Sequence, residues 1–269
     1  MSGLTHIENT FAALKAQGRA ALMPYFTLGY PTPAASLQVV EALAQTGADL
    51  IELGVPFSDP LADGPTIQHS TQVALEQGIT VRRCFEMVRE IRARGVPQPL
   101  LLMGYINPIL AYGVDRYAAD MCDAGADGLI VPDLPLEEAD ALDSACRRHG
   151  LALVYLASPA STPERLAALA EKTSGFLYLV SLAGVTGARS ALSSELAGFV
   201  ERARAVAQVP LAVGFGISTP QHAQAVASLA DGVIIGSALV HAAGKAENAA
   251  EGAAKFMHEI HAALVARAG

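Results

Sequence analysis

Four acids stand close together in the segment Asp49-Leu-Ile-Glu-Leu-Gly-Val-Pro-Phe-Ser-Asp-Pro-Leu-Ala-Asp-Gly-Pro65, and the last three are placed where they could do chemistry. Glu52 closes an apolar run, while Asp59 and Asp63 follow where Pro56, Pro60, Gly64 and Pro65 keep the chain out of regular structure. A carboxylate at the end of a buried strand loses hydration, which disfavours its charged form and raises its pKa. That makes Glu52 a candidate proton carrier, although a strand-end acid can also pair with a neighbouring Lys or Arg. Asp63 lies beyond the strand, where a loop folding back would bring a second carboxylate to the same cavity. Two acids in different surroundings suit divided roles. Asp-Gly-Pro is also ordinary turn chemistry, and Asp59 in Ser-Asp-Pro can hold a turn through its side chain.

A second constellation combines Gly214-Phe-Gly-Ile-Ser218 with Gly236-Ser-Ala238. A phosphate needs several converging N–H groups, which glycines allow the chain to present at close range and a helix N-terminus supplements with its dipole. Between them, Ser181 to Arg189 carries Gly184 and Gly187 around Thr186, the composition of a loop that could close over substrate. Met103, Ile130, Leu156, Tyr178 and Phe215 end apolar runs and could line a water-poor middle. An acid–base enzyme for a phosphorylated, partly apolar small molecule is the chemistry these groups imply.

The elements that must position these groups are read from a recurring unit. Thr46 to Glu52, Ala124 to Val131 and Leu229 to Gly236 each run from a helix end through Ala-Asp into a continuous apolar stretch. Glycine at a helix end permits a left-handed cap, and an uninterrupted apolar run suits a strand buried on both faces. Further strands are expected at Ala20 to Thr27, Pro99 to Tyr105, Leu151 to Leu156, Phe176 to Ser181 and Pro210 to Gly214. Eight strands alternating with helices predict a single (β/α)8 TIM barrel over residues 1–269, with an open doubly wound sheet as the alternative. A short helix from Thr5 to Gln17 should cap one end. Long connections are expected over 54–79 after the second strand and 182–192 after the sixth, both on the face where such barrels carry active sites.

Composition narrows the function classes. Hydrophobic residues make up 52% of the 269-residue chain and charged ones 16%, enough apolar material for a large core. The net charge of −8, without a basic block, argues against nucleic acid as a partner. Neither a signal-peptide pattern nor a membrane-spanning run is read, so a cytoplasmic protein is expected. Cys84, Cys122 and Cys146 are widely spaced, and the seven histidines show no ligand spacing, so free thiols and no metal site are expected.

The segment from Ile51 to Gln68 closely resembles the hallmark of the tryptophan synthase alpha subunit family. The likeness continues through Pro24 to Pro31, Gly128 to Pro135, Gly184 to Gly187 and Val213 to Ser218, in the family's order over almost the whole chain. It implies a TIM barrel that cleaves indole-3-glycerol phosphate to indole and glyceraldehyde 3-phosphate without metal or organic cofactor. By this resemblance Glu52 transfers protons at indole C3 and the glycerol hydroxyl, and Asp63 binds the indole N–H. Phosphate donors are carried to Gly187, Gly216, Gly236 and Ser237. The indole pocket falls to Tyr25, Met103, Leu156, Tyr178, Thr186 and Phe215, with Tyr25 at a position often held by Phe. Asp133 is expected to be structural. The family also implies a beta subunit partner in an alpha2beta2 tetramer, faced by Pro56, Asp59 and the Tyr105-Ile-Asn-Pro108 segment with Asn107 and Pro108. Two alternatives stay open: a stand-alone lyase releasing free indole, and an idle barrel that only activates its partner.

Overall fold

The computed structural model describes residues 1–180, 189–214 and 216–265, the side chains of 189–194 excepted. Its nine parallel strand segments are β1 (Ala21–Thr27), β2 (Ile51–Gly54), β3 (Leu100–Met103), β4 (Gly128–Ile130), β5 (Ala152–Val154), β6 (Leu156–Ala157), β7 (Leu177–Val180), β8 (Leu211–Gly214) and β9 (Gly232–Ile235). The hydrogen-bonded order β5-β4-β3-β2-β1-β9-β8-β7-β6 begins and ends on neighbouring pieces of chain. β5 and β6 are one barrel strand interrupted at Tyr155, so the eight expected strands are present and the sheet curls into a TIM barrel. The open doubly wound alternative is thereby removed.

Two cores follow from the period-two alternation of strand side chains. Ala21, Met23, Leu50, Leu101, Ile130, Ala152, Val154, Tyr178, Ala212 and Ile234 pack inside the barrel. Their alternate neighbours, such as Leu22, Ile51, Leu53, Leu102 and Leu129, pack outward against the helices. The N-terminal helix Gly3–Ala16 inserts Ile7, Phe11 and Leu14 into the inner core, with Phe11 5.7 Å from Phe176 between ring centroids. It plugs the barrel floor, as its amphipathic spacing predicts.

The repeated Asp of the Ala-Asp units has one job, performed three times. The Leu22 amide donates to Asp49 Oδ2, the Leu100 amide to Asp127 Oδ2 and the Leu211 amide to Asp231 Oδ2, each at 2.8 Å. Each Asp amide in turn donates to the carbonyl of the same leucine. Arg19, Arg92 and Arg204 respectively pair with the three carboxylates. The side chain thus satisfies an N–H at the start of the preceding strand and ties adjacent strands at the floor. Ser174 repeats the exchange with Leu153 through a hydroxyl, at 2.8 Å and without an arginine. One such clamp closes β1–β2, β3–β4, β5–β7 and β8–β9.

Two loop expectations need correction. The 54–79 connection contains the helix Pro65–Glu76, leaving residues 55–64 as the loop proper. Pro65 presets the first helical turn, and Ile67, Ser70, Thr71 and Ala74 form a buried stripe at helical spacing that the polar sequence conceals. The 182–192 connection gives way to the helix Arg189–Arg204, and its remainder lies outside the described residues.

Cys84 and Cys146 are buried and Cys122 is half-buried, all as free thiols. Burial pushes the Cys84 and Cys146 thiols up to about 12, which leaves them inert at neutral pH. Among the described residues no helix is long and apolar enough to cross a membrane.

Candidate active site

Glu52 points into the barrel because it lies two residues beyond Leu50 of the inner core, on β2. It stands opposite Tyr25 of β1 and Leu101 of β3 in the parallel register. The residue is 0% exposed, and neither carboxyl oxygen has a hydrogen-bond partner among the described residues. Desolvation with no compensating bond pushes its pKa up to about 8, so the carboxyl is largely protonated at neutral pH.

Asp63 arrives on the loop after β2, which is folded by the Leu61 amide donating to the Asp59 carbonyl and the Asp63 amide to the Pro60 carbonyl. Partial burial raises its pKa to about 6, while a hydrogen bond from the Tyr105 hydroxyl pulls in the opposite direction. The two acids therefore differ: a neutral, dry carboxyl on the strand and a mostly ionised carboxylate on the loop. Glu52, Asp63, Tyr25, Met103 and Tyr178 line one cavity of about 290 Å3, whose far wall is Gly216, Ile217, Ser218, Gly236, Ser237 and Ala238.

The two tyrosines fit because glycines end the adjacent strands. A Cβ on Gly54 would strike the Tyr25 hydroxyl, and one on Gly214 the Tyr178 hydroxyl. Both phenols are buried, and desolvation together with the nearby carboxylates raises their pKa values beyond any physiological range. They act as neutral walls. Tyr25 Oη is turned to the Thr27 side chain, whose Oγ1 lies 2.7 Å from Ser70 Oγ on the helix Pro65–Glu76.

At the other end, Gly216 holds a left-handed φ of 75° that glycine accepts without strain. Gly236 precedes the helix Ser237–Lys245 and supplies no capping side chain, whereas Ser2, Thr32, Thr80, Thr162 and Thr219 each cap the helix that they precede. The first N–H groups of that helix consequently remain open to an anion in the cavity. Gly64, before the helix Pro65–Glu76, lacks a capping side chain in the same way.

Not every expected residue falls in this cavity. Leu156 lines a neighbouring space of about 780 Å3 that shares Met103 and Gly216 with it. Thr186, Gly187 and Phe215 lie outside the described residues. Ile67 and Ile234 are lining residues that pattern reading did not single out, the first lying in the expected 54–79 loop and the second within an apolar strand run. Tyr105, grouped by resemblance with the partner-facing segment, instead reaches the Asp63 loop, where its hydroxyl accepts from the Ala62 amide at 3.1 Å.

Of the remaining surface expectations, Asp59 and Asn107 are exposed and Pro108 is half-exposed, but Pro56 is buried. Pro56 follows β2 almost directly and stays beneath the loop, so it presents no surface in the free chain. Leu61, 92% exposed, and Leu110, 58% exposed, flank this region. Asp133 accepts from the Ile106 amide at 2.9 Å, holding the first turn of the helix Ile106–Tyr112, which agrees with a structural role.

The family model described as tryptophan synthase alpha chain matches residues 11–266. The tryptophan synthase alpha chain of Chloroflexus aurantiacus is 50% identical over 263 residues, covering 97% of this chain and 99% of that relative. The corresponding Burkholderia mallei chain is 46% identical, covering 97% of each. Among solved structures, tryptophan synthase subunit alpha from Legionella pneumophila superposes with a TM-score of 0.91 at 38% identity, covering 99% of both chains. Sequence likeness on this scale, over a barrel that also superposes from end to end, places this chain in the tryptophan synthase alpha chain family.

Proposed function

We propose that this chain cleaves indole-3-glycerol phosphate to indole and glyceraldehyde 3-phosphate in the cavity between Glu52, Asp63 and the 236–238 turn. The observation that carries the proposal is the pairing of unlike acids on one cavity, with open helix N–H groups at the opposite wall. The phosphate sits at Gly216, Gly236 and Ser237 and the ring lies among Tyr25, Met103 and Tyr178; the resemblance adds Gly187 as a phosphate donor and Thr186 and Phe215 to the ring pocket, while Leu156 borders the neighbouring space.

Cleavage requires three coordinated proton events. Glu52, protonated because it is dry, delivers its proton to indole C3 from the cavity wall. The ring nitrogen then carries positive charge, which ionised Asp63 stabilises by accepting the N–H. Glu52, now a carboxylate, takes the glycerol hydroxyl proton; the C–C bond electrons return to the ring, and the carbinol carbon leaves as the aldehyde. The bond change is a retro-aldol step whose protons are all accounted for by these groups, and it calls for no metal or organic cofactor.

Indole then passes to a beta subunit in an alpha2beta2 assembly in the cytoplasm, with residues 1–269 forming one domain. Exposed Leu61 and Leu110 beside Asp59 and Asn107 support a partner on the catalytic face rather than a lyase that works alone. The test is an assay of indole formation by the purified chain, wild type and Glu52→Gln, with and without a beta subunit. The proposal expects cleavage by the wild type, its acceleration by the partner and near-complete loss in E52Q. An E52Q enzyme that keeps most of its activity would remove Glu52 from the mechanism.

A further inference from the structure

Tyr105 stands at the junction of three loops on the catalytic face. Its ring lies 5.5 Å from that of Phe57, between centroids, on the loop after β2. Its backbone neighbours are both tied: the Gly104 amide donates to the Ile130 carbonyl at 3.1 Å, and the Ile106 amide to Asp133 Oδ1 at 2.9 Å. The residue is 5% exposed, so this position is fixed by packing as well as by hydrogen bonds.

The hydroxyl has one proton to give and lone pairs to receive. The Ala62 amide occupies a lone pair at 3.1 Å, which leaves the O–H to donate to the neighbouring Asp63 carboxyl. Donation to a carboxylate is stronger than donation to the neutral acid, so the phenol favours the ionised form of Asp63. Asp63 lines the cavity, so a carboxylate held from the Tyr105 side can still meet a ring N–H there.

We propose that Tyr105 is a positioning residue, fixing through its hydroxyl the orientation in which Asp63 receives the indole N–H. This rests on the reading of Asp63 as the indole anchor. The other titratable groups facing Asp63 are Glu52 of β2, Tyr25 of β1 and Tyr178 of β7, so Tyr105 is the group beside it whose donor is committed to it.

The test is the affinity of the whole chain for indole-3-propanol phosphate, a non-cleavable mimic, and for glyceraldehyde 3-phosphate. Both are measured by calorimetry in wild type, Tyr105→Phe, Asp63→Asn and the double variant. Y105F keeps the ring against Phe57 and should weaken the indole ligand about tenfold, the scale of one charge-assisted hydrogen bond, while leaving glyceraldehyde 3-phosphate unchanged. In the D63N background Y105F should add no further loss. The pH midpoint for binding the indole ligand, near 6 in the wild type, should move upward in Y105F. Unchanged indole-ligand affinity in Y105F, weakening of both ligands, or equal loss in both backgrounds would each overturn the proposal. Undiminished indole-ligand affinity in D63N alone would instead overturn the anchor itself.

Discussion

Tyr25 and Glu52 face each other across β1 and β2, and the room for the phenol exists because residue 54, two places beyond Glu52, has no side chain. Gly54→Ala would place a Cβ against the Tyr25 hydroxyl and 2.6 Å from the ring carbon that bears it. Overpacking of this kind destabilises a core by about 1 to 3 kcal/mol. Tyr25→Phe in the same chain should recover part of the loss, since it removes the nearest atom and leaves the ring carbon. Urea midpoints for the single and double variants measure both effects.

The two acids should produce a bell-shaped dependence of kcat/KM on pH. Asp63 must be ionised to accept the N–H, so the rate should rise through about 6. Glu52 must be protonated to supply C3, so it should fall through about 8. Initial rates across pH 5 to 10 at low substrate give both limbs.

Glu52 also links pH to stability. Its folded pKa lies above the unfolded value, so its contribution is full below about 4.5 and is lost as pH rises through about 8. Glu52→Gln removes that ionisation. The variant should therefore gain stability on the wild type between pH 5 and 9, by an amount on the order of a few kcal/mol. Urea unfolding at the two pH values makes the comparison; a constant difference would mean that the carboxyl is hydrated in the native state.

Ser237→Asp should separate phosphate binding from ring binding. An acid in the first turn of the helix Ser237–Lys245 is favourable to the helix itself, so the fold is retained. It places a negative charge where the phosphate would sit. Affinity for glyceraldehyde 3-phosphate should fall by roughly 10-fold or more while that for indole stays within about twofold.

At the floor, Asp127→Ala should be far more harmful than Ser174→Ala. Asp127 receives Arg92, the Leu100 amide and His6 Nδ1, so its loss leaves the Leu100 amide without its acceptor and a half-buried guanidinium without its counter-charge, held only by the Gly125, Val96 and Gln98 carbonyls. A cost of about 3 to 5 kcal/mol is expected. Ser174 meets only Leu153, and its loss should cost about 1 kcal/mol. Denaturant titration of the two variants ranks them directly.

Local chemistry accounts for what could be read without coordinates. Glycine-ended helices followed by apolar runs mark the strands because cap geometry and full burial act within a few residues, and Glu52 is legible as the one carboxylate inside such a run. The helix Pro65–Glu76 was not legible, since its buried stripe includes Ser70 and Thr71, with the Ser70 hydroxyl satisfied by the Ile67 carbonyl and the Thr27 hydroxyl rather than by water. The repeat itself was visible while its purpose was not: an Asp reaching back to the preceding strand is a contact across 20 or more residues.

By itself, therefore, the sequence determined the eight alternating strands and helices, the N-terminal helix that caps one end, the two candidate acids and the glycines at the anion end, because each depends on periodicity or on the backbone freedom of single residues. Only the tertiary structure decided that the barrel closes, that Glu52 has no hydrogen-bond partner among the described residues, that Tyr105 reaches the loop that carries Asp63, that Pro56 is buried and that Leu156 borders a neighbouring space. Those outcomes depend on which surfaces the closed barrel brings within hydrogen-bond or contact distance, and closure is a property of the whole sheet that no short stretch of chain contains.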